Sequence, residues 1–336
     1  MIATVIGVVA AAGVFPSTGS GQAGGNTPPI THEYADVNGV KLHYARAGRG
    51  PLIVFLHGFP EFWYEWHNQI AEFSKDHTVV APDMRGYNLS SKPTELAEYA
   101  IPKLVEDVRA LASELLTSSG GEKFTLVAHD WGGVVAWVFA ALHPQMLDKL
   151  VIVNAPHPTI FGKLLSEDPA QQKASQYMLM FRSPQAEDTL SANSFGLLTS
   201  MVLGAGLKDG TVTEADKKMY LEAWAQPGAL TGGLNYYRAS AIGPPPAARE
   251  TTASAGDPPA TSDASQRVEG PVLIIRVPTL VIWGEKDTAL LTNNLDGLDR
   301  VVPALTIKRV PDGTHWIVRE KPAAVNGLIR EFMAAR

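Results

Sequence analysis

Phe124-Thr125-Leu126-Val127-Ala128-His129-Asp130-Trp131-Gly132-Gly133 decides the architecture. Phe124–Ala128 is a continuous apolar run, as expected of a strand buried on both faces, and Gly133–Leu142 has a helical pattern. Between them the chain must turn sharply. Small residues, Ala128 and Gly132, stand two positions either side of Asp130, where strand and helix have to approach closely. A side chain at the apex of such a turn is held clear of its neighbours. Further apolar runs at Leu52–Leu56, Thr78–Ala81 and Leu150–Val153 alternate with helical patterns at Phe62–Ser74 and Pro102–Thr117. Pro102 suits a first helical turn, where a missing N–H costs nothing. This alternation predicts right-handed crossovers and a mostly parallel, doubly wound α/β sheet.

Beyond residue 156 the pattern changes. Residues 157–242 read as a helical insertion without a convincing strand. Residues 243–275 hold Pro244 to Pro246, Pro258-Pro259 and many small polar residues, a composition that predicts a flexible linker. Strand-like runs return at Thr279–Trp283 and Leu305–Val310, and a last helix is predicted over Ala323–Ala334. The core thus divides into residues 31–156 and 276–336, interrupted by the insertion at 157–242 and the linker at 243–275. There is no internal repeat.

The 336 residues suffice for a large core plus a subdomain, and 45 % apolar with 18 % charged residues is an ordinary globular composition. A net charge of −6 gives no basic footprint for nucleic acid. The absence of cysteine excludes disulfides, thiolate metal sites and a cysteine nucleophile. Residues 1–30 read as a leader. Met1–Phe15 is apolar and uncharged but too short to cross a bilayer, which needs ~20 residues. Its length fits the apolar part of a secretory signal, with small residues at Gly21-Gln22-Ala23 for cleavage, although no Lys or Arg precedes it. Export to a periplasmic or extracellular space is one expectation. A cytoplasmic protein with an inert leader is the other. No stable membrane association is expected, and monomer and homodimer both fit.

Aspartate at the apex decides the chemistry. A carboxylate is poor at attacking acyl carbon but can displace a strained or good leaving group from sp³ carbon. The product is an ester of Asp130, which water must cleave at the aspartyl carboxyl carbon. That step needs a general base and an oxyanion hole. The alternative for Asp130 is a plain helix N-cap. Leu52–Leu56 runs into His57-Gly58-Phe59-Pro60, and the backbone N–H groups of Phe59 and Trp131 are the expected oxyanion donors. His57 reads as a core histidine shaping this loop, and His129 also reads as structural. Asp287 follows the strand at Thr279–Trp283, with Glu285 as a rival, and His315 lies in a turn after the last strand. The order Asp130, Asp287, His315 is the nucleophile–acid–histidine order of the α/β-hydrolase fold. In it His315 is the base and Asp287 fixes its tautomer.

These segments resemble the epoxide hydrolases of the α/β-hydrolase superfamily. The resemblance rests on His57-Gly58-Phe59-Pro60 with Trp63 and Trp66, on Asp83-Met84-Arg85-Gly86-Tyr87, and on His129-Asp130-Trp131-Gly132-Gly133. Asn154-Ala155-Pro156-His157-Pro158 and Gly313-Thr314-His315-Trp316 extend it, so that it covers residues 32–242 and 276–335. It implies an α/β-hydrolase fold with an inserted helical cap, no cofactor or metal, and epoxide opening to a vicinal diol. It also implies cap tyrosines that donate hydrogen bonds to the epoxide oxygen. Tyr237 matches the second of these. Met180 falls where the first is expected; Tyr177, one helical turn away, is one candidate substitute, His157 is another, and a single tyrosine is the third alternative. Phe59, Trp131, Phe161, Met178, Met180 and Trp316 are candidate liners of an apolar pocket, which favours a small apolar epoxide with water as co-substrate.

Haloalkane dehalogenation shares the aspartyl-ester mechanism and is the main rival. Dehalogenases of that type commonly carry Asn after His-Gly, where this chain has Phe59. Fluoroacetate-type enzymes carry Arg after the nucleophile, where it has Trp131. An esterase or lactonase would need the Asp130 carboxylate to act as a base or form an anhydride. A non-catalytic ligand-binding protein on the same scaffold has little need of Asp130, Asp287 and His315 together.

Overall fold

The computed structural model describes residues 28–240, 242–245 and 272–335. The leader reading and nearly all of the linker reading lie outside the described residues. Eight strands form one sheet: β1 (Thr31–Val37), β2 (Val40–Ala47), β3 (Leu52–Leu56), β4 (Thr78–Pro82), β5 (Phe124–His129), β6 (Leu147–Val153), β7 (Thr279–Gly284) and β8 (Leu305–Val310). Their order is β1-β2-β4-β3-β5-β6-β7-β8. From β4 to β8 every pairing is parallel, while β1–β2 and β2–β4 are antiparallel. Every residue of β3, β4, β5 and β7 is buried, as their unbroken apolar runs require.

The antiparallel pair was not evident among the candidate strands. β1 is a mostly exposed edge strand of sequence THEYADV, without the apolar run that marks the centre of the sheet. The signal it does carry is Asn38-Gly39. Both residues have positive φ (49° and 77°), as a two-residue hairpin turn of type I′ demands.

The core helices are α1 (His67–Phe73), α2 (Ile101–Ser119) and α3 (Asp130–Leu142). Two expected helices begin elsewhere than their sequence pattern indicates. The first opens with a 3₁₀ turn, Trp63–Trp66, and α3 begins at Asp130 itself. Between β6 and β7 the described residues add only helices: α4 (Pro158–Glu167), α5 (Pro169–Ala174), α6 (Tyr177–Arg182), α7 (Ala186–Leu198), α8 (Gly204–Asp209), α9 (Glu214–Trp224) and α10 (Ala229–Ala239). These form the inserted cap. The 24-residue stretch Ala186–Asp209 contains an 18-residue window of mean hydropathy 1.3, enough by length and composition to cross a membrane. It is broken inside α7, where Asn193, Ser194 and Phe195 all take positive φ. Ile275, assigned to the linker from sequence, is fully buried, and its N–H donates to Val301 O at 2.8 Å. The chain closes with α11 (Ile317–Glu320) and α12 (Pro322–Ala334).

Buried polar contacts join cap to core. Tyr220 OH donates to Glu61 at 2.5 Å, Trp224 Nε1 to Pro60 O at 2.6 Å, Tyr236 OH to Arg85 O at 2.9 Å, and Tyr64 OH to Asp216 at 2.6 Å. The Arg319 guanidinium reaches both parts, bonding Glu61 in the core and Val202 O in the cap.

Candidate active site

Asp130 sits at the junction of β5 and α3 with φ +48°, in the left-handed region that non-glycine residues rarely adopt. The turn is sharp because β3 lies against it. A Cβ on Gly132 would fall 2.4 Å from Leu56 O, and one on Gly58 would fall 2.3 Å from Asp130 Oδ1. Asp130 does not cap α3; it is the first helical residue, and His129 holds the cap position. Its Oδ1 accepts the Phe59 N–H at 2.8 Å, while Oδ2 lies 3.6 Å from His315 Nε2. The Trp131 N–H belongs to the first turn of α3, where helix N–H groups lack intrahelical partners.

His315 Nδ1 donates to Asp287 Oδ2 at 2.7 Å. Asp287 is held on every side. Its Oδ2 also accepts Asn154 Nδ2 at 2.8 Å, and its Oδ1 accepts the N–H groups of Ala289 and Leu290 at 2.8 and 2.9 Å. Burial alone would raise the Asp287 carboxyl, but the His315 charge, the hydrogen bond to it, and the Leu290 and Asn154 donors bring it below the ordinary range. Glu285, the rival from sequence, turns away to Arg309 at 3.2 Å.

Three imidazoles crowd this region. Burial drives His57 and His129 down to about 4, so both are neutral at pH 7. His57 Nδ1–H donates to Gly58 O at 2.9 Å and its Nε2 accepts the Met84 N–H at 2.9 Å, which fixes the oxyanion loop. Burial would lower His315 too, but Asp287, then Asp130 and Glu65, outweigh it and lift His315 to about 9.

The cap supplies an aromatic wall. Tyr237 on α10 packs edge-on to Trp131, Phe59 and Phe181, with ring centroids 5.1, 5.5 and 5.0 Å away. Burial, then the Asp130 charge, holds its phenol well above the usual range, so it remains an O–H donor. Tyr177 on α6 lies 6.4 Å from Tyr237, and burial, Asp130 and Asp287 raise its phenol in the same way. Both phenols thus feel the carboxylate at the elbow. Met180, placed by sequence where the first tyrosine is expected, is half-buried against the core. Phe161 and Met178 are buried core residues, and Trp316 packs edge-on to His315 at 4.8 Å.

Sequence reasoning missed three supporting side chains: Asn154 behind Asp287, Glu65 beside His129 (2.6 Å), and Arg319 bonded to Glu61. The available signal was two glutamates in the otherwise aromatic run Glu61-Phe62-Trp63-Tyr64-Glu65-Trp66.

An aspartate elbow at the end of a parallel strand, facing a histidine–aspartate pair under a helical cap, is the architecture of an α/β-hydrolase. A family model described as alpha/beta hydrolase fold matches residues 51–322. The AB hydrolase superfamily protein YfhM of Bacillus subtilis is 38% identical over 305 residues, 90% of this chain and 97% of that protein. Epoxide hydrolase 4 of Mus musculus is 35% identical over 321 residues, 92% of this chain and 81% of that protein. The structure of a Bacillus megaterium epoxide hydrolase with an inhibitor matches at TM-score 0.80 and 36% identity, covering 90% of this chain and 100% of that one. A mutant of the Bacillus megaterium enzyme, holding a naphthyloxy-propanediol product, matches at TM-score 0.78 and 37% identity over 90% of this chain and 100% of that one. The chain belongs to the epoxide hydrolase family of α/β-hydrolases.

Proposed function

We propose that this protein opens apolar epoxides to vicinal diols through an ester of Asp130. The observation that carries the reading is the placement of buried Tyr237 edge-on to Trp131 and Phe59 beside the elbow, with half-buried Tyr177 next to it and the Asp130 charge holding both phenols protonated. Ring opening creates an alkoxide, and a preorganised O–H donor stabilises that developing charge.

Asp130 Oδ2 is the attacking oxygen. Its partner Oδ1 already holds the Phe59 N–H and becomes the ester carbonyl without moving. The Trp131 N–H completes the oxyanion hole. The 3.6 Å between Oδ2 and His315 Nε2 exceeds a hydrogen bond, which leaves Nε2 for water. The proton that His315 gives up when the Asp130 charge disappears balances the one gained by the alkoxide. In the second step water gives a proton to His315 and its oxygen to the Asp130 carboxyl carbon. Collapse of the tetrahedral intermediate expels the diol oxygen, which takes the proton back, and the Asp130 carboxylic acid then passes water's second proton to His315, restoring the starting carboxylate and imidazolium. Asp287 stabilises the imidazolium throughout. The aromatic wall of Phe59, Trp131, Phe181, Tyr177 and Tyr237 suits an epoxide bearing an apolar or aryl group, the class to which the product held by the Bacillus megaterium mutant corresponds.

The test uses styrene oxide and, separately, a 1-bromoalkane in oxygen-18 water, with diol, bromide and the mass of the Asp130 peptide as readouts. Diol without bromide, with label in Asp130, supports the reading. Bromide without diol keeps the ester mechanism and replaces the substrate class. Neither product and no label rejects both.

A further inference from the structure

Two carboxyls stand behind His315, and the reaction proposed above uses neither. Glu61 is committed to the Arg319 guanidinium and to Tyr220 OH. Glu65 is not. Its side chain is 2% exposed, and its Oε1 makes a close, bent approach of 2.6 Å to His129 Nδ1. Its Oε2 is buried without a hydrogen-bond partner among the described residues.

Counting hydrogens fixes the state of this pair. His129 Nε2 lies 2.9 Å from the backbone carbonyl oxygen of His315. A carbonyl only accepts, so Nε2 carries a hydrogen. Nδ1 lies 2.6 Å from a carboxyl oxygen, too close for two bare lone pairs, yet makes no well-aligned hydrogen bond of its own, so a second hydrogen belongs to the pair and sits off the line between them. The pair is therefore neutral as a whole, either acid with imidazole or carboxylate with imidazolium. Burial chooses the first, raising Glu65 to about 8 and lowering His129 to about 4.

We infer that Glu65 is a positioning residue for the general base: its carboxylic acid fixes the His129 tautomer, and His129 Nε2–H holds the His315 backbone so that the imidazole stands correctly over Asp130. Its protonation also has a use. Glu65 faces Arg319, Asp130, His315 and the His129 ring, with Glu61 close by. His315 already faces Asp287 and Asp130, and a third full negative charge at Glu65 would bind its proton harder. A neutral Glu65 orients the base without adding that charge.

The kinetic consequence rests on the epoxide hydrolase reading. The orientation and titration of His315 do not, so the two can fail separately. Glu65→Leu removes the hydrogen donor, and Glu65→Gln restores one without a titratable group. Single-turnover reactions with styrene oxide, followed by tryptophan fluorescence, separate ester formation from ester hydrolysis. The expected result is hydrolysis slowed about tenfold to hundredfold in Glu65→Leu, the scale of a ~1 Å misplacement. In Glu65→Gln most of that loss is recovered. In both variants the pH midpoint of hydrolysis stays in place, because the Glu65 removed is a neutral acid over the range in which the ester-state His315 titrates. Nitrogen-15 spectra of the histidine rings, recorded without substrate, should show a downward shift for His315, which in the free protein titrates near 9, above the point near 8 where Glu65 takes its charge. They should also show the His129 tautomer kept in Glu65→Gln and lost in Glu65→Leu. Equal hydrolysis losses in both variants with unchanged histidine spectra would mean that Glu65 only fills space, and no loss in either would dismiss it outright. If the wild-type protein forms no diol, the epoxide reading fails, and the histidine spectra alone still decide the inference.

Discussion

Esterification of Asp130 should switch His315 from a proton-holding to a proton-taking state. In the free protein His315 is lifted to about 9, so at pH 7 only about 1% of it is the neutral base. Part of that lift is the Asp130 charge, whose Oδ2 is 3.6 Å from Nε2. At an effective dielectric constant of about 20, one unit charge at that separation contributes about 4 kcal/mol, or about 3 pKa units. An ester is uncharged, so alkylation should drop His315 to about 6 and leave about 90% of it neutral at pH 7. The base is released only when there is an ester to cleave. Asp130→Asn is an uncharged isostere of the ester and tests this directly. Nitrogen-15 titration of His315 in wild type and Asp130→Asn should give midpoints about 3 units apart. The rising limb of single-turnover ester hydrolysis should follow the lower of the two. If the two titrations coincide within about half a unit, the field of Asp130 does not hold the proton and the reasoning fails.

Tyr237→Phe and Tyr177→Phe should each slow ester formation about tenfold to hundredfold, and together by about 10³ or more, with ester hydrolysis little changed, as single-turnover fluorescence can read. Asn154→Ala removes the hydrogen bond to the Asp287 carboxylate, worth about 1.5–3 kcal/mol, unpairs the buried Gly284 N–H that Asn154 Oδ1 accepts at 2.8 Å, and leaves a left-handed backbone on alanine. Urea unfolding should show a loss of that size or somewhat more, and a control substitution of exposed Gln145 by Ala should not. Arg319→Met strands Glu61 without its cation and should destabilise by about 3–5 kcal/mol, whereas the double substitution with Glu61→Leu should recover most of it. Glu65→Gln should make stability less dependent on pH. The folded protein keeps the Glu65 proton up to about 8, while the unfolded chain loses it near 4.5. Wild-type stability therefore falls relative to the variant as pH rises through that window, which melting curves at pH 5 and pH 8 can check.

The centre of the sheet was legible because strands buried on both faces leave continuous apolar runs. Asp130 stood out because it directly follows such a run, whereas Asp287 and His315 lie in turns beyond the ends of β7 and β8 and were picked out by their order along the chain. The edge was not: β1 is half polar, and only the turn residues Asn38-Gly39 announce it. The start of α3 was displaced because Trp131 and Gly132 read as turn residues, whereas the left-handed Asp130 makes the whole turn in one residue. Tyr177 and Met180 share one short helix, and alignment by pattern could not say which of them faces Asp130; in the structure Tyr177 packs edge-on to Phe181 and Tyr237. Arg319 and Glu61 are 258 positions apart, and nothing local to either names the other.

The contacts of Arg319, Tyr220, Trp224, Tyr236 and Tyr64 fasten the cap at several separated places, mostly with buried polar groups. Such a cap is a fixed ceiling rather than a hinged door. Lifting it would strip partners from a buried cation and a buried carboxylate at once. The fastening thus sets the ceiling's position by contacts that lie outside the aromatic wall over Asp130. The same fastening makes ceiling and floor a single cooperative unit, lost together in one melting transition.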